Sequence, residues 1–76
     1  MSVDVLFFGK LVEIAGTSLT IDDVQSTDEL LEQLRQQFPA LAAEKFIVAV
    51  DKKTITANTS LSNNCTVALL PAFSGG

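Results

Sequence analysis

The sequence predicts one small α+β domain in which a mixed β-sheet packs against a single main helix. A chain of 76 residues has room for one core only. Hydrophobic residues make up 47% of it, which is enough to form that core without other help, and most fall in short runs rich in β-formers. One longer segment, residues 26–39, instead places its apolar residues at helical spacing.

Composition excludes several classes of protein. One cysteine and no histidine provide neither a disulfide nor a metal cluster, so no metal site is expected. A net charge of −4, scattered bases and the absence of Trp and Tyr argue against nucleic-acid binding. The opening "MSVDVLFFG" lacks the features of a signal peptide, and no run approaches the roughly 18 apolar residues that cross a membrane. We therefore expect a soluble cytoplasmic protein with no membrane contact.

The first strand is predicted over residues 3–9. Its apolar side chains fall on both faces, which is typical of an interior strand. These are Val3, Val5 and Phe7 on one face and Leu6 and Phe8 on the other. Residues 10–16 then predict a single helical turn, and residues 17–23 alternate as a half-exposed strand with Leu19 and Ile21 on its inner face.

The main helix is predicted within "STDELLEQLRQQFP". Ser26 and Glu29 have capping-box spacing, although Thr27 could equally be the N-cap. Pro39 ends the helix because the residue before a proline is disfavoured in the helical region. The apolar stripe consists of Leu30, Leu31, Leu34 and Phe38.

The second half of the chain predicts two strands, an edge segment and a polar loop. "FIVAV", residues 46–50, is apolar throughout, as in a central strand covered on both faces, and "DKK" leads into the edge segment 54–56. A loop over 58–64 tucks Leu61 inward, and the last strand spans 66–70 before Pro71 ends its pairing. The order strand, strand, helix, strand, strand predicts the β-grasp arrangement of ubiquitin.

No catalytic site is recognisable in the sequence. The acid pairs Asp22–Asp23 and Asp28–Glu29 are sequence neighbours whose side chains point apart. Cys65 has no histidine and no cluster of bases near it in the sequence that could activate its thiol. The glycines form no phosphate-binding pattern. We expect chemistry to be done to this chain, or with it, by another enzyme.

The ending "LLPAFSGG" is the main functional clue. We expect a domain over residues 1–70 and an extended tail over 71–76, with the α-carboxylate of Gly76 as its reactive group. Gly75 and Gly76 lack side chains and therefore suit a narrow channel in a partner's active site. Pro71 stiffens the exit from the sheet, and Phe73 offers an apolar anchor for a pocket on a partner.

Four segments together resemble the MoaD family, the small subunits of molybdopterin synthase. They are "VLFFGKLVEIAG", "QFPALA", "FIVAVD" and "VALLPAFSGG", and the resemblance covers nearly the whole chain. It implies a β-grasp fold and a terminal Gly76 that is adenylated and converted to a thiocarboxylate. It also implies that Leu70, Pro71 and Phe73 meet the partners.

The resemblance further implies a set of partners. A MoeB-like adenylyltransferase would use ATP and Mg²⁺ to activate the tail, so this chain itself would bind no cofactor. A sulfur donor protein would then supply the sulfur. A MoaE-like large subunit would receive the tail in a heterotetramer of two small and two large subunits. There the sulfur would pass to cyclic pyranopterin monophosphate, so the chain would be the non-catalytic donor subunit of a sulfurtransferase.

Two departures from the family pattern are visible. Ala72 and Phe73 stand where the family often has a second proline and a small apolar residue, which implies a wider pocket on the partner. The turn before the last strand, often Asp-Gly-Asp, reads Asn63, Asn64, Cys65 here. Asparagine tolerates a left-handed backbone, so we expect Asn64 to replace the glycine.

Three alternatives stay open at this stage. A ThiS-type sulfur carrier of thiamine biosynthesis shares the fold and the two glycines. A ubiquitin-like modifier would join its terminal glycine to lysines of target proteins, although its approach to the glycines is usually basic and polar. A plain binding module would have a tail without a role, so its binding would survive mutation of Gly76.

Overall fold

A computed structural model describes residues 2–72 as a five-stranded mixed sheet with one main helix packed on one face. The strands are β1 (Ser2–Phe7), β2 (Ser18–Asp22), β3 (Phe46–Val50), β4 (Lys53–Ile55) and β5 (Thr66–Pro71). The helices are α1 (Val12–Ala15) and α2 (Thr27–Gln37), and 3₁₀ turns span Gly9–Leu11 and Pro39–Ala43. No helix among these residues is both long and apolar enough to cross a bilayer.

The strand order is β2-β1-β5-β3-β4. The two central strands, β1 and β5, run parallel, and the other neighbouring pairs are antiparallel. The last strand therefore lies in the middle of the sheet, between β1 and β3. This β-grasp topology confirms the predicted fold class.

The core lies between the sheet and α2. Val3, Val5 and Phe7 of β1 are buried, as predicted, and they belong to one cluster with Leu30 and Leu34 of α2. Cross-strand pairing places Ile21 opposite Val3 and Leu19 opposite Val5, which confirms the predicted inner face of β2. The sheet thus presents a single continuous apolar face to the helix.

β1 and β3 are interior strands of the sheet, as predicted, but the prediction that β3 is covered on both faces is wrong for the part of the chain that the structure describes. Phe8, just after β1, is 43% exposed, and Ile47 of β3 is 40% exposed. An 11-residue helix can cover one face of a sheet, and no other long helix occurs within residues 2–72. Within residues 2–72, the second apolar face therefore has no cover.

The N-terminus of α2 is held by more contacts than the sequence indicated. Ser26 is the N-cap, and its hydroxyl accepts a hydrogen bond from the Glu29 N–H at 3.4 Å. Thr27, the alternative cap, is instead buried and accepts a hydrogen bond from the Thr59 N–H at 2.9 Å. Asn58 adds a second acceptor, since its Oδ1 is bonded to the Asp28 N–H at 3.0 Å. The loop after β4 thus closes over this helix end.

The loop before β5 matches its prediction closely. Leu61 is buried, as expected for a residue tucked inward. Asn64 has φ of 64°, the left-handed conformation in which it was expected to replace glycine. Its N–H donates to the carbonyl of Ser2 at 2.7 Å, which ties this turn to the start of β1.

The last strand extends one residue further than predicted. Pro71 is the final residue of β5 and pairs with Phe46 of β3, and the Ala72 N–H still donates to the Lys45 carbonyl at 3.2 Å. A proline can occupy this position because a backbone N–H at residue 71 would point toward β1 and not toward β3. The pairing between β1 and β5 has already ended at Phe7 and Leu69, so no hydrogen bond of the sheet is lost. The division into a domain over 1–70 and a tail over 71–76 stays a prediction.

Candidate functional site: an open sheet face that leads to the tail

The sheet face opposite α2 is apolar at its centre and has no covering element within residues 2–72. We call this surface the open face. Its apolar side chains are Leu6, Phe8, Ile47, Ala49, Ala68 and Leu70. Leu6 lies opposite Ala68, and Ile47 lies opposite Leu70. Because side chains of paired residues share a face, these pairs form one patch across three strands.

A polar margin borders the open face at the β3–β4 turn. A depression at this margin is lined by three apolar and three polar residues: Leu6, Phe8, Ala68, Thr66, and Asp51 and Lys52 of the turn. Both turn residues have positive φ, 48° and 74°, as a two-residue hairpin turn requires. An apolar centre with a polar rim is the usual composition of a protein–protein interface.

The open face continues directly into the point where the chain leaves the sheet. Leu70, its last member, is followed by Pro71, whose ring packs on Gly9. Gly9 has φ of +58°, and a Cβ added there would lie 2.5 Å from Pro71 Cγ. On the other flank, the Lys45 carbonyl accepts the Ala72 N–H. We call this group, Gly9, Lys45, Pro71 and Ala72, the tail root.

The predicted site residues fall into two groups. Leu70 and Pro71 are both half-buried, the first on the open face and the second in the tail root. Phe73, Gly75 and Gly76 lie outside the described residues, so their roles stay predictions. The open face brings Leu70 together with residues that were not predicted as site residues, above all Phe8 and Ile47.

The other residue types that could take part in chemistry, the cysteine and the carboxylates, lie in surroundings that a purely structural role explains. Cys65 is buried just before β5, and its carbonyl accepts the Asp4 N–H at 3.0 Å. Within residues 2–72, no three side chains of the His, Cys, Asp or Glu type lie close enough together to hold a metal ion. In this part of the chain, the open face and the tail root are the features that point to a partner.

Comparison with known proteins decides the family. The model of the ThiS family matches residues 5–76, which is nearly the whole chain. The chain belongs to the ThiS family. This match includes the tail as well as the domain, so the described sheet and the last residues are both part of what the family shares.

Solved structures with the same fold include molybdopterin-related and modifier proteins. One is a putative molybdopterin converting factor subunit 1 from Pyrococcus furiosus, with a TM-score of 0.83, 16% identity, and coverage of 96% of this chain and 99% of that one. SAMP1 from Haloferax volcanii has a TM-score of 0.82 and 21% identity, with full coverage of both chains. At these identities the likeness shows the β-grasp fold alone.

A third similar structure comes from a complex. It is a chain of the protein–protein complex of subunits 1 and 2 of the molybdopterin-converting factor from Helicobacter pylori 26695. The two chains are 28% identical, each is covered completely, and the TM-score is 0.74. The predicted resemblance is confirmed at the level of the family that ThiS and MoaD proteins share, and molybdopterin converting factor subunit 1 is among the similar structures.

Sequence reasoning missed the exposed residues of the site because it assigned them to a covered sheet. The number of helices available to cover the two faces of the sheet was the signal that could have found them. Strands that are apolar on both faces, in a sequence with one long amphipathic helix, leave one face to be covered by another molecule.

Proposed function

We propose that this chain is the sulfur-carrying small subunit of a molybdopterin synthase. In this proposal the carboxylate of Gly76 is adenylated, converted to a thiocarboxylate, and gives its sulfur to cyclic pyranopterin monophosphate. Membership of the ThiS family supports the carrier role. The similar Helicobacter pylori chain, which occurs in a complex of subunits 1 and 2, favours the molybdopterin pathway.

The observation that carries the proposal is the continuity of the open face with the tail. Leu70 lies beside Ile47 on the open face, and the next residue, Pro71, is the last of β5. A partner that covers this face would therefore also receive the residues that follow. Phe73 would anchor the tail in an apolar pocket, and Gly75 and Gly76 would pass through a channel too narrow for side chains.

The proposed activation takes place on a MoeB-like adenylyltransferase. A carboxylate oxygen of Gly76 attacks the α-phosphorus of ATP, and pyrophosphate leaves with Mg²⁺ supplied by that enzyme. Hydrosulfide released by a sulfur donor protein then attacks the acyl carbon and displaces AMP, so that one C–O bond of the carboxylate is replaced by a C–S bond and a proton is released. This chain contributes the acyl group and its recognition surface, while the adenylyltransferase supplies the catalytic residues.

Delivery takes place on a MoaE-like large subunit, in a heterotetramer of two small and two large subunits. Sulfur held on a tethered tail reacts with an effectively intramolecular acceptor, which avoids a search through solvent. The acids and bases for this transfer come from the large subunit. On this proposal the chain acts in the cytoplasm and binds no cofactor itself.

The acceptor distinguishes this proposal from its nearest alternative, a ThiS-type carrier of thiamine biosynthesis, which the family match favours equally. The thiocarboxylated chain is incubated with a large subunit and cyclic pyranopterin monophosphate, and the dithiolene product is measured. Product formation that requires the thiocarboxylate supports the proposal. Formation of the thiazole precursor with thiamine enzymes, and no dithiolene, would assign the chain to thiamine synthesis.

A further inference from the structure

An ion pair joins the two flanks of β5 at the end from which the tail leaves. Lys10 lies in the 3₁₀ turn that follows β1, and Glu44 lies just before β3. Lys10 Nζ is 2.8 Å from Glu44 Oε1. Since β1 and β3 are the two neighbours of β5, this contact spans the full width of the last strand.

The ion pair differs from an ordinary surface pair in its burial. The Lys10 side chain is 61% exposed, but the side chain of Glu44 is only 26% exposed and its Oε1 is shielded from solvent. Lys10 Nζ lies within ion-pair distance of this oxygen, but the geometry is not that of a hydrogen bond, and no hydrogen bond from residues 2–72 reaches Oε1. The charge of the Lys10 ammonium is therefore what offsets the burial of this carboxylate oxygen. A buried carboxylate oxygen without a cation beside it is unfavourable. This ion pair should therefore contribute more to stability than a fully exposed one.

The ion pair lies beside the two other contacts that restrain the tail root. Gly9 precedes Lys10 and packs on the ring of Pro71, and Lys45 follows Glu44 and accepts the Ala72 N–H. One flank thus restrains the proline ring, the other restrains the next backbone amide, and the ion pair links the two flanks. Together these contacts restrict the orientation of the backbone at Ala72.

We propose that Lys10 and Glu44 are positioning residues, whose ion pair fixes the direction in which the tail leaves the sheet. This inference rests on the proposed carrier function, in which the tail must reach an active site while the open face is bound. A tail root that is already ordered loses less conformational entropy on binding. Loss of the ion pair therefore weakens productive binding more than it slows the chemical step.

The first test uses the free protein and does not depend on the carrier function. Amide hydrogen exchange at Ala72 is measured by NMR for the wild type, Lys10→Met and Glu44→Gln. The expected result is exchange about tenfold faster in both variants, with exchange in the centre of β5 unchanged. Glu13→Gln, an exposed glutamate on α1, is the matched control and should exchange like the wild type.

The second test measures thiocarboxylate formation with a MoeB-like enzyme, ATP and a sulfur source. Lys10→Met and Glu44→Gln should raise KM for the chain about threefold to tenfold with kcat nearly unchanged. The exchanged pair Lys10→Glu with Glu44→Lys should recover most of the wild-type KM, because it restores an internal ion pair. A direct contact of either residue with the enzyme would not be rescued by that exchange.

The outcomes separate the two proposals. If the wild type gains no sulfur, the carrier function fails, and the exchange rates at Ala72 still decide whether the ion pair orders the tail root. If the wild type gains sulfur while both variants match Glu13→Gln in exchange and in KM, the positioning role is refuted. An increase in KM without rescue by the exchanged pair also refutes it.

Discussion

The α-carbon of Gly9 lies against the ring of Pro71, so close that a Cβ at Gly9 would be 2.5 Å from Pro71 Cγ. Residue 9 follows the first strand and residue 71 ends the last, yet the two meet because β1 and β5 are parallel neighbours in the centre of the sheet. The contact explains why a glycine stands at position 9. It also places the start of the tail against the turn that follows β1.

Gly9→Ala should destabilise the protein because it adds both backbone strain and a clash with Pro71. A left-handed alanine costs about 1 kcal/mol, and displacement of the ring should raise the total to about 2 kcal/mol. Urea unfolding of Gly9→Ala, Pro71→Ala and the double variant measures the coupling between the two positions. Strictly additive effects would show that the ring does not restrain position 9.

Substitutions on the open face should weaken partner binding without unfolding the domain. Phe8→Ser and Ile47→Ser alter exposed side chains, so the free energy of unfolding should change by about 0.5 kcal/mol or less. Each should lower the affinity for a MoaE-like large subunit about tenfold or more, measured by calorimetry, because buried apolar anchors dominate interface energies.

The matched control for the open face is Leu31→Ala. Leu31 is a half-buried apolar residue on α2, on the other side of the sheet. Its substitution should cost stability and leave the affinity for the large subunit unchanged. Equal losses of affinity for all three variants would show that the open face is not the docking surface.

Asn58 should contribute to stability as an additional cap of α2. Asn58→Ala removes the acceptor of the Asp28 N–H and should lower the free energy of unfolding by about 1 kcal/mol. Asn58→Asp keeps an acceptor and places a negative charge at a helix N-terminus, so it should retain the wild-type stability. Thermal denaturation compares the two, and a loss in the aspartate variant as large as in the alanine variant would contradict the capping role.

Asn64 should tolerate glycine but not a β-branched residue. Its φ of 64° is strained for valine and accessible to glycine, so Asn64→Val should destabilise by about 1–2 kcal/mol and Asn64→Gly should change stability by less than about 1 kcal/mol. Chemical denaturation of the two variants measures this difference. Equal stability would mean that the turn can adopt another conformation.

The sequence predicted most of the fold because its signals were local. The spacing of Leu30 and Leu34 indicated a helix, and the alternation of Leu19 and Ile21 indicated a strand with one inner face; both agree with the structure. The turn at Asn64 was also predictable, since its conformation depends on the residue type. Such features need no knowledge of distant contacts.

The tail root and the open face were less predictable because they depend on strand order. Gly9 meets Pro71, and Lys10 meets Glu44, only because β5 lies between β1 and β3. The exposure of Phe8 and Ile47 depends on which face of the sheet the helix covers. Neither the periodicity of one segment nor its composition contains this information.

The most direct test of the account is the intact mass of the chain after incubation with a MoeB-like enzyme, ATP and a sulfur source. The sulfur-carrier function predicts a mass increase equal to the replacement of one oxygen by sulfur, and no increase in a variant that lacks Gly76. An unchanged mass with several activating enzymes, or an increase that persists without Gly76, would contradict the sulfur-carrier function.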